Sequence, residues 1–121
     1  MLKVNSSVKN GTAEIILEGE LTVYTAAVFK SAVLSISEKY GEMIINLAGI
    51  SEADSSGIQL LMGLKRTLSL DNRQLVLKSH SPAIIKMMDL YGLIGFFGDI
   101  MRIPSSLKPQ LGLAYGIKRG N

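Results

Sequence analysis

MIINLAGISEADSSGIQLLMGLKR, residues 43–66, changes its periodicity halfway along. From Met43 to Leu47 the apolar residues run almost unbroken and include paired isoleucines, the composition of a central strand buried on both faces. From Ile58 to Leu68 they recur at three- and four-residue spacing, the pattern of one helical face. Between the two runs lie Asp54, Ser55, Ser56 and Gly57, so a strand passes almost directly into a helix. In open α/β sheets ligand and partner sites gather at the carboxyl ends of strands, which makes this junction the candidate site.

Working outward, Val28, Phe29, Ala32, Val33, Ile36 and Tyr40 repeat the helical spacing, with Thr22 or Thr25 able to cap the start and Gly41 the end. Before them, Lys3 to Val8 and Glu14 to Glu18 flank Asn10-Gly11, a dipeptide that tolerates positive φ and so marks a tight hairpin. Downstream, Asp71-Asn72 interrupts the helix and Gln74 to Lys78 reads as another buried strand. Ser81-Pro82 then caps and opens a helix that runs through Leu90 and stops at Gly92, and Ile100 to Ile103 reads as a last strand. Strands alternating with helices predict an α/β fold: a mixed, mostly parallel sheet of four to five strands packed with helices. One domain over residues 1–104 accommodates these elements, with 105–121 as a C-terminal tail or short helix.

With 121 residues and 47% hydrophobic content, a single domain of this kind can bury a substantial core. The absence of cysteine excludes disulfides and thiolate metal sites, and the lone histidine, His80, cannot make a zinc shell by itself. His80 also stands beside a serine already used as a cap, so it reads as a surface or hydrogen-bonded side chain rather than a triad member. Gly92, Gly95 and Gly98 lack the Gly-Lys-Ser/Thr of a phosphate loop, and nothing sets the separation of Glu18, Glu20, Glu52 and Asp54 for acid–base work. The expectation is a protein with no catalytic residue, metal or cofactor. A net charge of +3, spread thinly through Lys65-Arg66, Lys118-Arg119 and single residues, argues against nucleic acid. No run reaches the roughly 18 apolar residues of a spanning helix, which leads to the expectation of a cytoplasmic protein without membrane insertion. The outer edge of the opening hairpin is expected to be free to pair between two copies of the chain, as a homodimer.

The junction itself has a plain reading: Asp54 or a serine caps the helix and Gly57 permits a tight bend. The helical wheel adds a distinction between the two serines. Ile58, Leu60, Leu61, Leu64 and Leu68 fall in one core-facing arc, Ser56 near its edge, and Ser55 on the opposite face with Gln59, Met62 and Arg66. Met62 places an adaptable apolar side chain on that otherwise polar face, which suits a partner-binding surface. A phosphate on Ser55 would sit at a helix start, where the dipole favours an anion, yet beside Glu52 and Asp54 it would oppose burial of Gln59 and Met62 in an interface.

These residues resemble the STAS family, specifically the bacterial anti-sigma factor antagonists. GTAEIILEGELTVYTA resembles the opening hairpin and Gly-Glu-Leu-Asp segment, IINLAGISEADSSGIQLLMGLKR the central strand, phosphorylation motif and helix, and HSPAIIKMMDLYGLIGFFGD the later Ser-Pro-Ala helix. The resemblance implies a STAS-like domain in which Ser55, supported by Asp54, Ser56 and Gly57, is phosphorylated by an anti-sigma factor that is also a serine protein kinase, and dephosphorylated by a serine phosphatase. It implies that the unphosphorylated chain binds the anti-sigma factor, with Glu20, Thr22, Gln59, Met62 and Arg66 at the contact, and that ATP belongs to the partner. Family members commonly carry Asp where this chain has Thr22. Stand-alone members of chemotaxis or sensor-kinase clusters, and accessory subunits of ABC-type transporters, are the alternative roles within the same fold.

Overall fold

The structure, a computed structural model, describes residues 1–93. The expected strand at Ile100 to Ile103, the boundary at 104 and the tail lie outside the described residues. Seven elements follow one another: β1 (Leu2–Lys9), β2 (Thr12–Leu21), α1 (Ala26–Ser37), β3 (Glu42–Ala53), α2 (Ser55–Leu70), β4 (Leu75–Lys78) and α3 (Pro82–Leu90). The sheet order is β1-β2-β3-β4, with β1 antiparallel to β2 and the other neighbours parallel. The alternation of strands and helices expected from the sequence is therefore present, in a mixed and mostly parallel sheet.

The opening hairpin turns at Asn10 and Gly11, both with positive φ, so Lys9 pairs with Thr12 across a two-residue loop. Two later terminations also use the left-handed region. After α2, Asn72 has φ 58°, and the amides of Asn72 and Arg73 return to the carbonyls of Ser69 and Leu68. After α3, Gly92 has φ 67°, and the amides of Gly92 and Leu93 return to Asp89 and Met88. Both are Schellman closures, which satisfy otherwise orphaned carbonyls. The Arg73 guanidinium then reaches the Ser37 carbonyl at 2.6 Å, tying the end of α1 to the end of α2. Gly41 is not the terminator of α1, because that helix closes at Glu38, whose amide bonds Leu34.

One face of the sheet carries the core. Ala13, Ile15 and Leu17 of β2, Met43, Ile45 and Leu47 of β3, and Leu75 and Leu77 of β4 alternate with exposed or half-buried neighbours. All of these but Ala13 form a single cluster with Phe29 and Val33 of α1, Ile58, Leu61 and Leu68 of α2, and Ile84 and Met88 of α3. All three helices thus cover the same side, and each fully buried leucine or isoleucine contributes about 1.5–3 kcal/mol. Two readings change accordingly. The strands around Met43 to Leu47 and Leu75 to Lys78 are buried on one face, not two, because the opposite face holds Ile44, Asn46, Val76 and Lys78 with a 2.9 Å ion pair between Lys78 and Glu14. Lys78 holds the Glu14 carboxyl below the ordinary carboxylate range, chiefly through that hydrogen bond. Val28, read as part of the buried helical face, is exposed.

His80 also departs from expectation. It is 9% exposed, and neither ring nitrogen has a hydrogen-bond partner among the described residues. Desolvation lowers its pKa from the ordinary 6.5. The unfolded chain therefore takes up this proton near pH 6.5 while the fold refuses it until a lower pH. Across that window the unfolded state binds more protons, so stability is complete above pH 6.5, declines as pH falls, and levels off below the folded pKa. Melting temperatures of wild type and His80→Leu, measured across this range, should diverge from a shared plateau: the wild type falls on acidification and the variant loses that component of the slope. Parallel curves would contradict the assignment.

No helix among the described residues is long and apolar enough to cross a membrane.

Candidate functional site

Strands β2 and β3 run parallel, so their carboxyl ends lie side by side, where Leu21 leads into the loop before α1 and Ala53 into α2. Two register shifts, between Ile16 and Glu18 and between Gly19 and Glu20, bend this end of the pair. The Asp54 amide donates to the Leu21 carbonyl at 3.2 Å, joining the two strand ends at the point where the helix begins.

Asp54 is the N-cap of α2. Its Oδ1 accepts from the Gly57 amide at 3.2 Å, and its Oδ2 accepts from the Val23 amide at 3.0 Å. One carboxylate therefore holds both the first turn of α2 and the loop after β2. The loop has its own hydroxyl network. Thr22 Oγ1 accepts from the Tyr24 amide at 3.2 Å, and Thr25 Oγ1 accepts from the Thr22 amide at 3.0 Å while donating to the Glu20 carbonyl at 2.7 Å. The bond from the Thr22 amide back to Thr25 is one half of a capping box; the Thr22 hydroxyl serves the Tyr24 amide instead. Thr22 and Thr25 thus share the work before α1, although Thr25, the positional N-cap, makes no side-chain bond into the helix.

Gly57 has a different role from the bend assigned to it. It sits inside the first turn of α2, buried, against the end of β2. A Cβ there would collide with the Leu21 carbonyl oxygen and lie 2.8 Å from Leu21 Cγ. Glycine is needed for close approach of helix to strand, not for backbone freedom.

Ser55, Gln59, Met62 and Arg66 line one groove of about 530 Å³, together with Ile58, Tyr91 and Leu93. The structure brings together the four residues that the helical wheel placed on a common face. Ser56 does not line the groove, although both serines are half-buried, so position rather than exposure separates them. Glu20 and Thr22 lie outside it. Glu20 pairs with Glu52 on the sheet and stands 3.4 Å from the Met1 amino group, and Thr22 is only 8% exposed with its hydroxyl engaged by Tyr24. The part of that loop presented to solvent is Val23 and Tyr24, the latter 90% exposed.

The sequence reading missed Tyr91 and Leu93 of the groove, and the exposed loop pair Val23 and Tyr24. Leu93 reaches the groove because the Schellman turn at Gly92 folds the chain back after α3, a long-range consequence of packing. For Val23 and Tyr24 a local signal existed: two adjacent large apolar side chains between threonines, in a position where a turn would expose them.

A protein-family model described as "Mlab, STAS domain" matches residues 6–101. An anti-sigma-B factor antagonist of Bacillus subtilis (strain 168) is 27% identical over 94 residues, which span 76% of this chain and 86% of that protein. An anti-sigma factor antagonist from Mycobacterium paratuberculosis superposes with a TM-score of 0.71 at 17% identity, over 92% of this chain and 94% of that one. The Bacillus cell fate determinant SpoIIAA in its phosphorylated form superposes with a TM-score of 0.62 at 22% identity, over the whole of both chains. At these identities the two structural likenesses establish the fold.

Proposed function

This chain belongs to the STAS domain family, and we propose that it is an anti-sigma factor antagonist that works as a phosphorylation-controlled partner switch. In its unphosphorylated form the groove at the start of α2 binds an anti-sigma factor that is also a serine protein kinase. The kinase transfers phosphate to Ser55, the complex separates, and a serine phosphatase restores the binding form. The chain is then a substrate and a ligand rather than a catalyst, and the nucleotide belongs to the kinase. The Bacillus subtilis relative is named an anti-sigma-B factor antagonist, and SpoIIAA, which shares the fold, has been seen in a phosphorylated form; both support this reading.

One observation carries the reading: Ser55 opens α2 at the wall of a groove it shares with Gln59, Met62 and Arg66, while the helix cap is supplied by Asp54. Modification of Ser55 therefore leaves the capping carboxylate in place. A phosphate of about −1.5 to −2 charge is compatible with the helix start. Next to Asp54, and near the acidic pair Glu20 and Glu52 at the strand ends, it makes the groove wall anionic and strongly hydrated. Burial of Met62 in an interface is then opposed.

Incubation with the cognate kinase and ATP should place phosphate on Ser55, seen by mass spectrometry and absent from Ser55→Ala. Ser55→Ala should keep wild-type affinity for the unmodified partner. Ser55→Asp should bind about tenfold more weakly, equivalent to about 1.4 kcal/mol. Phosphate elsewhere, with equal binding by the two variants, would refute the switch.

A further inference from the structure

Apart from Met1, the two most exposed large apolar side chains among the described residues are Tyr24, at 90%, and Leu70, at 85%. They differ in what holds the backbone beneath them. Leu70 is the last residue of α2, where the helix gives way to the turn at Asn72. Tyr24 lies in the loop between β2 and α1, and every amide of that loop from Thr22 to Thr25 is bonded. The Thr22 amide donates to Thr25 Oγ1, the Val23 amide to Asp54 Oδ2, the Tyr24 amide to Thr22 Oγ1 and the Thr25 amide to the Thr22 carbonyl. Thr22 and Thr25, which supply most of these acceptors, are buried. The loop is therefore anchored from within while its largest side chain stands in water.

An exposed ring adds little to the stability of the fold, because burial is what stabilises. A ring on a fixed backbone, however, loses little further freedom when a partner covers it, and tyrosines held in this way dominate protein contacts. Val23, 57% exposed, widens the apolar patch, and no charged residue lies between Glu20 and Lys30. The complementary surface is accordingly apolar, with a hydrogen-bonding group for the phenol. Position points to whose surface it is. Asp54 immediately precedes Ser55, so its bond to the Val23 amide sets Val23 and Tyr24 beside the start of α2, where the groove of Ser55, Gln59 and Met62 also begins. Leu70 closes the same helix about 22 Å from Ser55 at the ordinary rise per residue.

We propose that Tyr24, flanked by Val23, is the aromatic anchor of the contact with the anti-sigma factor, its ring entering an apolar pocket of that partner while the groove beside Ser55 takes the remainder of the interface. The anchor presupposes the partner switch proposed above and names the side chain on which its affinity most depends. Thr22, expected at the contact, acts behind it as a positioning residue, because its hydroxyl holds the Tyr24 amide.

Binding is measured by calorimetry against the kinase that modifies Ser55, with ADP in place of ATP so that no phosphate is transferred. Tyr24→Ala should weaken binding about thirtyfold, the effect of truncating a hot-spot residue. Tyr24→Phe keeps the ring and should lose about fivefold or less. Leu70→Ala, which removes an equally exposed side chain at the far end of α2, should bind as wild type. Melting temperatures of the Tyr24 variants should match wild type, since the ring is exposed. Thr22→Val should accelerate amide exchange at Tyr24 and weaken binding about threefold, with the ring itself unchanged. Wild-type affinity of Tyr24→Ala, alongside weakened binding by Ser55→Asp, overturns the anchor and leaves the switch standing. The reverse pattern keeps the anchor and removes the switch. Equal losses in Tyr24→Ala and Leu70→Ala also overturn the anchor, because position beside Ser55 would then count for nothing.

Discussion

Gly57→Ala should destabilise the protein by about 1 kcal/mol, while Gly63→Ala, further along the same helix, should stabilise it. In both, alanine gains up to about 1 kcal/mol of helix propensity over glycine. At Gly63 a Cβ would meet nothing within 4 Å, so that gain is realised. At Gly57 the added methyl strikes the Leu21 carbonyl oxygen, and that oxygen cannot yield. It accepts the Asp54 amide, and Leu21 itself is fully buried in the cluster with Ile58 and Leu61. Overpacking of this kind costs about 1–3 kcal/mol, which exceeds the propensity gain. Urea denaturation of the two variants should move the midpoints in opposite directions. A midpoint for Gly57→Ala at or above wild type would mean that α2 and β2 are not in the contact described.

Asp54→Ala should cost about 2 kcal/mol and act on two segments at once. Loss of a capping carboxylate alone costs about 0.5–2 kcal/mol. Here the same side chain also accepts the Val23 amide, so the loop carrying Val23 and Tyr24 loses its tie to α2. Asp54→Asn keeps one accepting oxygen and should lose roughly half as much. Amide hydrogen exchange distinguishes this from a simple cap: in Asp54→Ala exchange should accelerate at both Val23 and Gly57. Acceleration at Gly57 alone would show that the loop is held by its threonine network without Asp54.

These two residues show what a linear reading can recover. Asp54 was legible as a candidate cap because an acid at a strand end before a helical run has few other local uses, but its second bond to Val23 joins residues far apart in the chain. Gly57 was legible as special and was given a local reason, whereas its cause is a neighbour from another strand. His80 fails for a related reason. Sequence context shows a polar residue beside a cap, and only packing shows that no donor or acceptor of the described residues reaches its ring. The strands at Met43 to Leu47 and Gln74 to Lys78 read as buried because their residues are mostly apolar. Composition cannot report that all three helices pack on one side.

What the sequence by itself determined was the order of elements, the hairpin at Asn10-Gly11, the caps and stops of α2 and α3, and the common face of Ser55, Gln59, Met62 and Arg66. Each rests on interactions between residues a few positions apart, where turn chemistry and helical periodicity act directly. Tertiary structure alone decided which face of the sheet is covered, that Tyr91 and Leu93 complete the groove, and that Thr22 turns inward while Tyr24 turns out. Those outcomes depend on which distant surfaces exclude water from one another, and that choice is made by the packed chain as a whole.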